Sequence, residues 1–159
     1  MSAASNYLED EVLDHVLGKG TRDFTSPTNL FLALFTGTAS DVLAALEAGT
    51  NANSSGNWGQ YEVTSYGTDS SASAYTRKAI TFNAASSGSA TNTGNVTFPT
   101  ATSNYTNSVG SGSTVTCVAV VDGSTGGNVL FYGQLNTSKE ILSGDTFQIS
   151  DQNLTISLA

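Results

Sequence analysis

An all-β fold is predicted for this chain: an antiparallel β-sandwich or jelly roll of about eight strands with one N-terminal α-helix. Three observations predict it. Short apolar runs, many of them alternating, recur from residue 29 onward, each bounded by Gly, Ser, Thr or Asn clusters. Only one long segment, residues 6–17, has clear helical periodicity. Charged residues make up just 11% of the 159, well below the usual quarter, and the small polar residues that replace them suit short strands joined by turns.

The helix is legible at both ends. Asn6 with Glu9 three residues later makes a capping-box-like start, or Ser5 caps one residue earlier, and Glu9, Asp10 and Glu11 complement the positive end of the helix dipole. Leu8, Val12 and Val16 recur at four-residue spacing, Leu13 and Leu17 widen the stripe, and Gly18 and Gly20 stop it. A lone amphipathic helix must lay its stripe on its own sheet or on a neighbouring subunit. Leu8, Val12 and Val16 are therefore candidate interaction residues.

After Pro27, the run Asn29–Phe35 is apolar throughout and reads as a central strand. Ser40–Ala48, closed by Gly49, reads as a short second helix, and residues 50–60 and 67–73 as polar loops. Tyr75–Phe82 alternates, placing Ile80 and Phe82 on one face and Arg77 on the other. Asn95–Phe98 stops before Pro99. Thr114–Asp122 is apolar on both faces, as a covered strand would be. The turn cluster Asp122–Gly127 joins it to Asn128–Leu135 in a hairpin. Glu140–Leu142 and Thr146–Ile149 are separated by Ser143-Gly144-Asp145, and Leu154, Ile156 and Leu158 alternate towards the end. No fixed-period repeat is visible, which excludes a propeller or solenoid. Residues 1–20 form a helix or arm and residues 21–159 the sandwich, in one domain overall.

Composition narrows function. A net charge of −8 repels nucleic acid. No apolar stretch approaches the 18 or so residues of a membrane span, and residues 1–6 lack the basic and apolar regions of a signal peptide, so a soluble chain without its own export signal is expected. Cys117 lies alone in an apolar run and reads as a small buried hydrophobe. His15, the only histidine, sits on the polar flank of the helix beside Asp14, and no Gly-x-Ser-x-Gly elbow exists to complete a triad. The acids cluster at Glu9–Asp14, where the dipole accounts for them. Asp122, Asp145 and Asp151 lack the contiguous spacing of a calcium loop. No catalytic residue, cofactor or metal site is expected.

Trp58, Tyr61, Tyr66 and Tyr105 lie in otherwise small, polar loops. Exposed, they would stack on sugars or anchor a protein interface; folded back, they would be lids over the sheet. The sequence leaves both open.

Several pieces of the chain occur in an order similar to that of the small structural proteins of tailed bacteriophages, of tail-fibre or capsid-decoration type. They are Tyr7–Phe35, Tyr75–Phe82, Gly94–Thr102, Gly127–Leu135, Ser143–Phe147 and Leu154–Leu158. Residues 38–73 are longer and more irregular than that pattern. The resemblance implies a non-enzymatic virion protein, assembled in the host cytoplasm, that holds by burying apolar surface between symmetric copies. No shaft of repeats, coiled coil or collagen-like sequence is present, so a capsid decoration or cement protein is the leading expectation. A tail fibre or other tail protein, including a carbohydrate-binding host-attachment module, is the alternative. The expected partners are further copies of the chain, a trimer among the options, and major capsid or tail proteins. No nucleic acid or membrane is expected. A host glycan is a further partner that the loop aromatics would serve.

Overall fold

The computed structural model describes residues 3–20, 26–49, 58–63, 74–110 and 112–158. Nine strands and two α-helices follow one another among them: β1 (Ala3–Ala4), α1 (Asn6–Leu17), β2 (Leu30–Thr36), α2 (Ala39–Glu47), β3 (Lys78–Ile80), β4 (Ser89–Thr91), β5 (Val96–Thr97), β6 (Thr114–Val121), β7 (Val129–Glu140), β8 (Gln148–Ile149) and β9 (Thr155–Ser157). A single 3-10 turn covers Trp58–Gln60. The fold is all-β, and every pairing is antiparallel.

A five-stranded sheet in the order β1-β7-β6-β2-β3 forms the centre. Successive residues of a strand point to opposite faces, and here both faces are covered. Leu32, Leu34, Val118 and Val120 enter one cluster; Ala33, Phe35, Cys117, Ala119 and Val121 enter the other. That double burial is why β2 and β6 read as unbroken apolar runs. Small residues (Ala33, Cys117, Ala119) on the second face let α2 approach closely with Val42 and Leu46. The first face meets an aromatic cluster: Tyr75 stacks on Phe98 at 5.7 Å, Tyr105 stands edge-on to Tyr75 at 5.9 Å, and Phe147 edge-on to Phe98 at 5.9 Å.

The second layer of the sandwich is two separate ribbons, β4-β9 and β5-β8. Asn92 links them: its side chain donates to the Gly94 and Ser150 carbonyls and accepts from the Leu154 amide.

One strand differs from the sequence reading. Asn128–Leu135 and Glu140–Leu142 were expected as two strands, but β7 runs unbroken from Val129 to Glu140. Cys117 pairs with Gln134 while Val115 pairs with Lys139, so residues 135–138 stand opposite Thr116 alone. This large bulge absorbs the polar Asn136-Thr137-Ser138 stretch without ending the ladder. Tyr75–Phe82 shortens to β3, and Asn95–Phe98 to β5.

The N-terminal residues are woven into the sheet. Ala3 and Ala4 pair with Tyr132 and Phe131. Ser5 caps α1 by accepting from the Leu8 amide at 3.3 Å, and its hydroxyl donates to the Val129 carbonyl at 2.5 Å. Gly49, just beyond α2, donates to nothing on α1 but closes tightly on it: φ is +75°, and a Cβ there would stand 2.5 Å from Ser5 Oγ. Only glycine meets both demands. Among the described residues, no helix is long and apolar enough to cross a membrane.

Candidate functional site

Three features stand out: a buried ionic clamp, an outward apolar helix face and a set of hydroxyl pairs on the ribbons.

The clamp is built on Glu62 and Arg77. Both side chains are fully buried. Arg77 Nε donates to Glu62 Oε1 and Nη2 to Oε2, each at 2.7 Å, the bidentate fork geometry. Arg77 Nη1 also donates to the carbonyls of Gly123 and Gly126, at 2.8 and 2.7 Å. The Tyr75 hydroxyl donates to Glu62 Oε1 at 3.0 Å and accepts from the Leu34 amide at 3.0 Å. The guanidinium lies 5.4 Å from the centre of the Trp58 ring. Burial pushes the Glu62 carboxyl above its ordinary value, against the pull of Arg77. Burial also opposes the Arg77 charge, but Glu62 outweighs it and holds the guanidinium above its ordinary value. The clamp thus ties three segments together: residues 58–63, the segment leading into β3, and the β6–β7 turn. Its donors and acceptors are turned on one another, which makes it a structural lock.

The sequence pattern places Arg77 on the strand face opposite Ile80 and Phe82 and gives Glu62 no role. The available signal was Tyr75-x-Arg77: a cation rare in this chain, alternating with an aromatic residue beside an apolar strand.

The loop aromatics resolve differently from one another. Trp58 is fully buried against Phe35, with ring centres 6.0 Å apart, and Tyr105 is only 1% exposed in the aromatic core. Neither ring is exposed in this structure. Burial pushes the Tyr105 phenol up to about 12. Tyr61 is half-buried against the α2-side cluster. Tyr66 lies outside the described residues.

The helix stripe resolves in two parts. Leu8 is 5% exposed and seated on the domain, whereas Val12 is 39% and Val16 72% exposed, with Leu13 and Leu17 beside them at 55% and 67%. The side of α1 turned to the domain carries Tyr7, Glu11 and Asp14, all half-buried. Tyr7 reaches Asn128, and burial raises its phenol above the ordinary value. The helix is therefore partly inside out.

On and beside the ribbons, side-chain pairs join neighbouring segments: Ser89 with Ser157 between β4 and β9, Thr97 with Gln148 between β5 and β8, and, at or beyond the strand ends, Thr81 with Thr93, Asn83 with Thr91 and Thr100 with Thr146. All are exposed and none carries a formal charge. His15 is exposed, and Cys117 is buried and free. Asp122 accepts from the Asn128 backbone and side-chain amides, and Asp145 accepts from the Leu142 amide, both acting as turn braces. Among the described residues, no three His, Cys, Asp or Glu side chains gather to hold a metal.

Comparison with known proteins agrees with this inventory of structural features. The family described as podophage GP4 fiber I protein gp80 matches the chain over residues 3–157. No curated protein matches it. The match favours the tail-fibre reading; the expectation of a capsid decoration protein, which rested on the missing shaft, gains no support from it.

Proposed function

The chain belongs to the family of the podophage GP4 fiber I protein gp80, and from that membership we propose that it is a non-enzymatic subunit of a fibre on the phage tail. It is a virion structural protein of the tail-fibre type. The observation that carries the proposal is the extent of the match, which takes in the central sheet, both helices and both ribbons. The chemistry of the chain supports it. Its buried charges are spent on the Glu62–Arg77 clamp, and the aspartates at 122 and 145 brace turns. Such a molecule transmits load and holds shape.

Gold-labelled antibody imaging of intact particles tests the placement. Label confined to one vertex is the expected result, and label spread over the head would return the protein to capsid decoration.

A second reading is favoured by the ribbon surface. Five exposed pairs of uncharged hydroxyl and amide side chains on and beside the ribbons offer donors and acceptors held in place, of the kind that meets a neutral glycan. On this reading the fibre subunit also touches the host surface. Binding to a glycan array, lost in a Thr97→Val/Gln148→Val variant, is the expected outcome; an array without signal removes the reading.

A further inference from the structure

We propose that α1 pairs with α1 of a second copy, antiparallel, about a two-fold axis near the middle of the helix. The reasoning starts from an inversion. On α1 the domain-facing row holds Tyr7, Glu11 and Asp14, while Val12, Leu13, Val16 and Leu17 face outward, exposed by 39 to 72%. Residues 12, 13, 16 and 17 fall at i, i+1, i+4 and i+5, on one side of a 3.6-residue helix. Four adjacent aliphatic side chains on one short helix make a contiguous patch rather than scattered surface residues. Removing this apolar area from water favours a cover.

Charge selects the cover. Glu9 continues the same row at its N-terminal end, three residues before Val12, and Asp10 follows it. Lys19 lies just past the C-terminal end of the helix, and His15 in its last turn. Centring a two-fold axis between Leu13 and Val16 brings Glu9 and Asp10 of each copy to Lys19 of the other. The two helix dipoles then oppose each other as well. A parallel arrangement around a three-fold axis would instead gather the Glu9 side chains together, in a chain whose net charge is already −8. A two-fold interface is self-complementary, so the pairing occurs twice. The stripe is turned outward and Ser5, Leu8 and β1 anchor the helix, so docking requires no rearrangement of the domain.

The rival seat for the stripe is an apolar groove of about 240 Å³ on the far face of the sheet, lined by Leu30, Phe82, Ala90, Phe131, Ile156 and Leu158. A helix in that groove would give head-to-tail contacts.

Sedimentation of the purified full-length chain across concentration and salt decides between them. The expected species is a dimer. Val16→Asp/Leu17→Asp should be monomeric with an unchanged circular dichroism spectrum, because both side chains are already exposed. Lys19→Glu alone and Glu9→Lys alone should each weaken the dimer about tenfold, the scale of two exposed ion pairs. Combining them in one chain should restore it. Four results overturn the proposal: a chain that stays monomeric, a trimer, a charge swap that fails to restore pairing, and a dimer dissociated by Ala90→Trp, which fills the groove and leaves α1 untouched.

Discussion

The segment from Trp58 to Arg77 and the outer face of α1 exchange the places that their composition suggests. The first is polar in sequence, yet its described residues bury a carboxylate, a guanidinium and an indole. The second is aliphatic, yet stands in water. Burial follows from whether partners converge, and only secondarily from hydropathy. Glu62 is acceptable inside because Arg77 and Tyr75 satisfy both carboxylate oxygens, and Arg77 because two turn carbonyls accept from its Nη1 while Nε and Nη2 hold the carboxylate. Among the described residues no such surface converges on the aliphatic row of α1, because Leu8 and Ser5 fix the helix with its other side against β7.

Breaking the buried side of this contrast should have the larger effects. Arg77→Ala leaves an unpaired buried carboxylate and frees three segments at once, so chemical denaturation should show a loss of about 3–5 kcal/mol. A loss under 1 kcal/mol would mean that the clamp is solvated in solution. Trp58→Ala removes the ring under Arg77 and against Phe35 and should cost about 3 kcal/mol, with Trp58→Phe recovering much of it. If Trp58 served instead as an exposed binding platform, denaturation midpoints would hardly move.

The aromatic core gives a pH test. The ordinary tyrosine pKa is 10.0, and folding pushes Tyr105 to about 12. Tyr75 is raised well above its ordinary value, chiefly by burial and next by the Glu62 charge. The folded state therefore holds protons that the unfolded state releases. Their contribution to stability is present in full below pH 10 and declines as pH rises from there through about 12, by on the order of 2 kcal/mol for Tyr105. Tyrosinate absorbance at pH 11 should show these two phenols un-ionised in the folded protein; early ionisation of all six would contradict the burial.

At the boundary between the two regions, Ser5→Ala loses both the cap on α1 and the bond to the Val129 carbonyl. We expect a loss of about 1–2 kcal/mol in thermal or chemical unfolding. On the exposed side, Val16→Ser should change monomer stability by less than about 0.5 kcal/mol. A large loss there would mean that the stripe is covered by its own domain, and the contrast would collapse.

Local features of the fold were legible in the sequence because they depend on near neighbours. The Ser5 cap, the Gly18 stop in a left-handed conformation at φ 66°, the second helix and the hairpin around Asp122–Gly127 all follow from residues within one or two turns of one another. The double-sided apolarity of β2 and β6 announced a covered sheet before any partner was known. The joining of β7 across Asn136-Thr137-Ser138 was not legible, since a bulge is fixed by the partner strand's register at Val115 and Cys117.

The sequence by itself thus determined the fold class, the positions of both helices and a composition suited to structure more than to chemistry. Tertiary structure alone decided which polar groups are interior and which apolar ones are not. Glu62 meets Arg77 across 15 positions, and Arg77 meets Gly126 across 49. No local pattern encodes such distances. The energy of a charge or a methyl group depends on what surrounds it in space, and for Trp58, Tyr105 and Val16 that neighbourhood exists only once the sheet has closed.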